Sequence, residues 1–125
     1  MTKLIFAKTH KTGSTTLQNI MFRYGTQNNL TFVLPKTKWW FFDHYRPFKA
    51  SDAEGFEPFN GTKIDSETKD IFAIHSMWNH KGVRKIIPNG PVVTILRDPI
   101  EVFESAYSYF GNEPKVIRYL YCLPF

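Results

Sequence analysis

The sequence predicts an α/β fold in which a mostly parallel sheet is flanked by helices on both faces. Three continuous apolar runs, at residues 4–7, 71–74 and 92–96, have the length and composition of buried strands. Helical patterns follow these runs, and buried strands that alternate with helices are typical of parallel sheets. Because such sheets bind ligands beyond the carboxyl ends of their strands, the residues after each run are the candidate site.

Composition favours a single domain that binds an anion. The chain has 125 residues, of which 42% are hydrophobic, and this is enough apolar surface for one core. The formal charge of +5 favours an anionic partner, but the basic residues are spread along the chain, which points to a discrete pocket and not to a nucleic-acid surface. The lone Cys122 fits no zinc pattern, so no metal is expected. No run approaches the roughly 18 apolar residues of a membrane span.

The first strand is followed by a loop with the composition of a phosphate site. Gly13, Ser14, Thr15 and Thr16 stand at a predicted helix start, where backbone N–H groups, hydroxyls and the positive end of the helix dipole meet. Lys8 and Lys11 add positive charge. The Walker pattern GxxxxGK[ST] is absent, which disfavours a nucleoside-triphosphate hydrolase or a P-loop kinase.

The helix after this loop has a predicted start, face and end. Ser14 or Thr15 is expected to cap it, and Gly25 is expected to stop it. Its apolar face is predicted from spacings of three and four residues, at Leu17, Ile20, Met21 and Tyr24.

The other two strands end at residues that can do chemistry. His75 follows the second run, and Arg97 follows the third. After Arg97 a helix is expected, with Asp98 as its cap, Pro99 at its first position and Glu101 as the capping-box acid. The three strand ends therefore deliver the loop 8–16, His75 and Arg97 to one edge of the sheet.

Residues between the first and second apolar runs are less regular. A short strand is expected at 31–34, and residues 36–70 read as a long insertion with a cluster of aromatic side chains. Core packing is the favoured role of this cluster, and stacking on a sugar or contact with a lipid surface is the alternative. The aromatic cluster comprises Trp39, Trp40, Phe41, Phe42, Tyr45 and Phe48.

Two further features are predicted outside this cluster. A short helix is predicted around residues 82–87, after the second apolar run. Asn29 and Asn60 each begin a glycosylation triplet.

Two segments carry a family resemblance. KTHKTGSTT, which contains residues 11–16, resembles the 5′-phosphosulfate loop of Golgi carbohydrate sulfotransferases, and TILRDPIEVFESAYSYF, residues 94–110, resembles their 3′-phosphate segment. The sequences of both segments are most similar to those of the galactose-3-O-sulfotransferase family. The resemblance implies a P-loop-like three-layer fold and the donor 3′-phosphoadenosine 5′-phosphosulfate. It also implies transfer of the sulfuryl group to a galactose hydroxyl, the 3-OH, of a glycolipid such as galactosylceramide or of a glycan.

The resemblance also assigns roles to residues. Lys11 matches the lysine that contacts the donor and neutralises the leaving oxygen, and Arg97 and Ser105 match the pair that binds the 3′-phosphate. The 5′-phosphate is expected to lie against Thr12, Gly13, Ser14, Thr15 and Thr16.

A base is needed for the acceptor hydroxyl, and the sequence offers four histidines. His75 is the choice, because it ends a strand beside the donor site and because an imidazole with a pKa near ~6.5 suits proton removal at neutral pH. Related enzymes often carry a second histidine close by, whereas here Ser76 follows, so His80 and His10 remain alternatives. His44 is expected to be structural or solvent-facing.

Family members are typically longer than this chain and anchored in the Golgi membrane, with the catalytic domain in the lumen. We therefore expect residues 1–125 to form a partial sulfotransferase domain, truncated after the 3′-phosphate segment. Membrane contact is expected only through a lipid acceptor or an anchor outside this chain. Two hypotheses follow: a sulfotransferase acting on galactose, or a module that binds the donor nucleotide and has lost turnover.

Overall fold

The computed structural model describes residues 2–36, 41–43, 46–54, 57–59, 62–64 and 69–111. The elements in this part of the chain are, in order, β1 (Leu4–Phe6), α1 (Ser14–Gln27), a 3₁₀ helix (Ala50–Asp52), β2 (Glu57–Phe59), β3 (Thr62–Ile64), β4 (Ile71–Phe72), α2 (His80–Ile86), β5 (Val92–Val93) and α3 (Pro99–Phe110). Strands β2 and β3 form an antiparallel hairpin inside the predicted insertion.

The three predicted strands form one parallel sheet in the order β4-β1-β5. The Leu4 N–H donates to the Asp70 carbonyl over 2.8 Å on one side, and the Ile5 N–H donates to the Pro91 carbonyl over 2.9 Å on the other. The α/β fold with a parallel sheet is thus confirmed. Each strand is shorter than its apolar run. Past the ends of the strands, side chains bond to the backbone: the Thr94 hydroxyl donates to the Ala7 carbonyl over 2.8 Å.

The core lies on both faces of this sheet. Alternate residues of a strand point to opposite faces, so Ile5 and Phe72 pack on one face while Phe6 and Ile71 pack on the other. The first face is covered by α2, and the second is covered by α1. The helix residues that pack on the sheet are Val83 and Ile86 of α2, and Leu17, Met21 and Phe22 of α1. Both faces are therefore covered by helices, as predicted.

Helix α1 begins and ends elsewhere than predicted. Its N-cap is Gly13 and not Ser14 or Thr15, and it continues past Gly25 to Gln27. Gly25 serves close packing: a Cβ there would lie 2.5 Å from the Phe32 ring. The predicted apolar face is correct for Leu17 and Met21 and wrong for Ile20 and Tyr24, whose side chains are exposed, because the buried strip runs through Ser14, Met21 and Gly25.

Other predictions are only partly correct. The expected strand at 31–34 is reduced to a bridge between Phe32 and Ile71, and α2 starts at His80, two residues before the predicted helix. Phe42 and Phe48 are buried in the core, which confirms core packing for these members of the aromatic cluster, and Phe41 is exposed. Trp39, Trp40 and Tyr45 lie outside the described residues, as do Asn60 and Gly61 of the second glycosylation triplet.

Candidate active site

The loop between β1 and α1 is tied to the end of β5. The Thr9 hydroxyl donates to the Ile95 carbonyl over 2.9 Å and lies 2.7 Å from the Thr12 hydroxyl, while the Ser14 hydroxyl donates to the Thr9 carbonyl. Lys11 and Gly13 both have positive φ, 58° and 76°. A non-glycine residue with positive φ costs free energy, so Lys11 is held in this conformation by the contacts around it.

The first turn of α1 is open towards this loop. Among the described residues no side chain caps the helix, and the Thr16 N–H turns back to the Gly13 carbonyl over 3.0 Å. A helix of 14 residues presents partial positive charge and N–H groups at this end. Thr15 and Thr16 are exposed beside it. The residues predicted to bind the 5′-phosphate thus surround an uncapped helix start.

Lys8 is a buried cation at the base of the loop. Its Nζ donates to the Gln18 Oε1 over 2.6 Å and to the Thr15 hydroxyl over 3.4 Å, and both partners are neutral. Burial lowers the pKa of Lys8 from 10.5 to about 8. The sequence reasoning missed Gln18, which also donates to the Ala73 carbonyl over 2.6 Å. Gln18 could have been identified from the sequence as a polar residue on the side of α1 that faces the core.

Arg97 connects the end of β5 to the loop. Its Nη1 donates to the Lys11 carbonyl over 3.1 Å, and its Nε pairs with the Glu101 carboxylate over 2.9 Å. The Lys11 Nζ lies 4.1 Å from the centre of the Tyr109 ring, over α3. Arg97 and Lys11 are therefore neighbours on one edge of the sheet. The contact with Tyr109 is a further feature that the sequence reasoning missed.

The start of α3 fits the prediction with one exception. The Asp98 Oδ1 accepts from the N–H groups of Ile100 and Glu101, over 2.8 and 3.3 Å, and Pro99 occupies the first turn. Glu101 is not the capping-box acid that was predicted, because its carboxylate pairs with Arg97, four residues earlier. Ser105 is half-buried, one turn further along α3.

Two of the histidines come together. The rings of His10 and His75 are stacked, with centroids 4.0 Å apart and planes at 4°. The loop that carries His10 thus contacts the residue at the end of β4. His80 is exposed at the start of α2, where its Nε2 accepts from the Arg84 Nε over 3.4 Å. His44 lies outside the described residues.

The structure thus brings together the loop 8–16, His75 and Arg97 at the sheet edge where they were predicted to meet. Within the described ranges, no group of three or more His, Cys, Asp or Glu residues is placed to hold a metal ion. The site therefore contains the cations Lys8, Lys11 and Arg97, the uncapped start of α1, and the stacked imidazoles of His10 and His75. This combination can bind an anion and accept a proton next to it.

Comparison with known proteins identifies the family of this chain. A family model described as galactose-3-O-sulfotransferase matches residues 1–121. The chain is 36% identical to bovine galactosylceramide sulfotransferase, over 87% of its own length and 24% of the relative's. It is 33% identical to human galactose-3-O-sulfotransferase 4, over 93% of its length and 23% of the relative's.

The chain spans about a quarter of the length of the curated relatives it matches. No solved structure matches it. The family match extends over nearly the whole chain and includes both segments that meet at the site. The chain therefore belongs to the galactose-3-O-sulfotransferase family.

Proposed function

We propose that this chain binds 3′-phosphoadenosine 5′-phosphosulfate for sulfuryl transfer to galactose. The acceptor group is the 3-OH of a galactose on a glycolipid such as galactosylceramide, or on a glycan. The observation that carries the proposal is the hydrogen bond from Arg97 to the Lys11 carbonyl, which joins the two segments assigned to the two phosphates of the donor. The names of the relatives support galactose as the acceptor sugar.

The 5′-phosphosulfate binds at the loop in this proposal. Lys11 and the residues Thr12, Gly13, Ser14, Thr15 and Thr16 supply an amine, hydroxyls and N–H groups. The positive φ at Lys11 and Gly13 and the uncapped start of α1 support this assignment, because consecutive N–H groups that turn inward form an anion site.

The 3′-phosphate binds to Arg97 and Ser105. A guanidinium makes paired hydrogen bonds to a phosphate, and the Arg97 side chain is 40% exposed and so accessible. Before the donor arrives, Glu101 partners Arg97. A phosphate dianion carries more charge than this carboxylate and displaces it as the main partner of Arg97.

Transfer proceeds in line. The galactose oxygen forms a bond to sulfur while the bond between sulfur and the 5′-phosphate oxygen breaks, and 3′-phosphoadenosine 5′-phosphate leaves. His75 accepts the proton of the galactose hydroxyl, and Lys11 offsets the charge on the departing oxygen. The stacked ring of His10 holds the His75 imidazole in place. The protein mainly positions the reactants, as in phosphoryl transfer.

The proposal extends to fold and location. The strand-loop-helix β1-α1, with an anion site at its turn, supports a P-loop-like three-layer fold for the domain. Membership of the family supports the Golgi lumen as the location, and Asn29, the first residue of a glycosylation triplet, is exposed at the end of α1. Among the described residues, no helix has the combination of length and hydropathy that a membrane span requires.

Two measurements test the proposal. Calorimetry with 3′-phosphoadenosine 5′-phosphate measures donor binding, and transfer of labelled sulfate to lactose and to galactosylceramide measures turnover. Lys11→Ala is expected to reduce transfer by orders of magnitude, and Arg97→Ala is expected to act chiefly on nucleotide affinity. Binding without transfer would favour a module that only holds the donor nucleotide, and absence of nucleotide binding would refute both readings.

A further inference from the structure

A cavity of about 370 Å³ lies outside the residues assigned to the donor. It is bounded by residues 35–36, by residues 41–43 and 46, and by the end of the 3₁₀ helix. Its volume is within the range of small-molecule sites, about 300–1,000 Å³. The side chains used below are Phe41, Asp43, Arg46, Ser51 and Asp52, all of which line it.

One wall of the cavity is formed by two residues that pair with His75. Phe41 forms a parallel bridge with His75, and the Phe42 N–H donates to the His75 carbonyl over 2.9 Å. Paired residues of neighbouring strands lie about 5 Å apart and present their side chains to the same face. Phe42 also borders the cavity, but its side chain belongs to the core and is almost completely buried. The exposed Phe41 ring and the His75 imidazole thus share one face.

The other wall carries fixed charges. Arg46 binds both carboxylate oxygens of Asp52, over 2.9 and 2.7 Å, and its Nε lies 3.2 Å from the Asp43 carboxylate. Asp52 also accepts the Lys49 N–H over 2.8 Å, which anchors the pair to the backbone. Such an arrangement offers hydrogen-bond donors and acceptors at set positions, and Ser51 lines the same cavity.

An aromatic ring opposite fixed polar groups matches the chemistry of a pyranose. The ring face accepts the C–H side of a sugar, and the charged groups and hydroxyls bind the sugar hydroxyls. Two cations and two carboxylates line this cavity, so their formal charges cancel and do not favour a phosphate dianion. They are Lys36, Arg46, Asp43 and Asp52. A neutral, polyhydroxylated ligand is the class that fits.

We infer that this cavity is the subsite for the acceptor galactose, with Phe41 beneath the sugar ring and the Arg46–Asp52 pair bonded to its hydroxyls. The inference rests on the proposed function, since it uses His75 as the base. It adds a position for the acceptor, beside the strand end at His75 with which Phe41 and Phe42 pair.

Binding of lactose to the full chain, measured by ligand-observed NMR with and without 3′-phosphoadenosine 5′-phosphate, tests this inference. Phe41→Ala is expected to weaken lactose binding about tenfold or more, which corresponds to ~1.4 kcal/mol, and to leave the Kd of the nucleotide unchanged within about twofold. Arg46→Lys keeps the charge but not the paired geometry and is expected to have a similar effect. Phe103→Ala is the matched control, because it removes an exposed phenyl ring from α3.

The outcomes separate this inference from the proposed function. Lactose binding that is equal in wild type, Phe41→Ala and Arg46→Lys would overturn the subsite, as would no lactose binding to the wild type. If the wild type does not bind the nucleotide but binds lactose more tightly than Phe41→Ala does, the proposed function is refuted and the sugar site is retained. Amide spectra of each variant show whether the fold is retained, and Phe41→Tyr, which keeps an aromatic face, is expected to restore binding.

Discussion

We expect the buried Lys8, at the base of the loop assigned to the donor, to make nucleotide binding depend on pH. Burial lowers its pKa to about 8, so in the unliganded protein about half of the Lys8 amines are neutral at pH 8 and about nine-tenths are neutral at pH 9. A bound phosphate opposes the effect of burial and raises this pKa, because it favours the cation. Nucleotide binding is therefore expected to be coupled to proton uptake above pH 7.5.

The expected size of the change in nucleotide affinity follows from the pKa of Lys8. Above pH 8 the Kd for 3′-phosphoadenosine 5′-phosphate is expected to rise by up to about tenfold per pH unit, because only the protonated fraction of Lys8 binds well. Calorimetry between pH 7.5 and 9.5, in buffers of different ionisation enthalpy, measures both the affinity and the proton uptake. The phosphate itself titrates near ~6 and is already ionised in this range.

Folding stability is expected to change with pH in the opposite direction to nucleotide affinity, which provides an internal control. The pKa of Lys8 is lowered in the folded state, so the unfolded chain binds this proton more tightly between pH 8 and 10.5. The contribution of Lys8 to the free energy of unfolding therefore increases as the pH rises through this window. Lys8→Met is expected to remove both dependences. If Lys8→Met and wild type show the same change of Kd with pH, Lys8 does not contact the donor and this reasoning is wrong.

Three further predictions concern the base and the helices. His75→Ala is expected to slow labelled-sulfate transfer by about 10²–10⁴-fold without weakening nucleotide binding, whereas His80→Ala leaves the rate unchanged; the reverse pattern would reassign the base. Asp98→Ala removes the acceptor of two N–H groups at the start of α3 and is expected to destabilise the chain by about 1 kcal/mol in urea unfolding, while an unchanged midpoint would contradict this. Gly25→Ala places a Cβ against Phe32 and is expected to lower Tm, because overpacking by ~1–3 kcal/mol outweighs the gain of ~1 kcal/mol in helix propensity; a higher Tm would show that the Phe32 ring moves aside.

The meeting of Arg97 with the loop could be predicted from the sequence, because it depends only on the parallel arrangement of the strands. Carboxyl ends of parallel strands share one edge, whatever the details of packing. The cap at Asp98 was predictable for a similar reason, since Asp followed by Pro is a local signal for a helix start.

Features that depend on contacts between distant residues could not be predicted in this way. Gly25 resembled a helix stop, but its role is set by Phe32 and Ile71, which approach it from outside the helix. The pairing of Lys8 with Gln18 requires the loop to fold back onto α1. Glu101 fitted the capping-box pattern, and the ion pair with Arg97 competed successfully for its carboxylate.

The cavity that we propose for the acceptor could also not be predicted from the sequence. The aromatic cluster suggested either core packing or sugar stacking, and the structure gives different positions to neighbouring members: Phe42 is buried and Phe41 is exposed. This division follows from the alternation of side chains in an extended segment that pairs with His75. Which of the two faces is buried depends on the sheet beneath it, and that cannot be read from a run of consecutive aromatic residues.

The central claim is that one nucleotide contacts both the loop and Arg97. The most direct measurement compares the affinity of wild type and Arg97→Ala for 3′-phosphoadenosine 5′-phosphate and for adenosine 5′-monophosphate, which lacks the 3′-phosphate. A charge-assisted hydrogen bond contributes about 1.5–3 kcal/mol, so Arg97→Ala is expected to reduce the preference for the bis-phosphate by about 10- to 150-fold and to leave the monophosphate almost unaffected. An equal loss for both nucleotides, or a preference that survives the substitution, would contradict the claim.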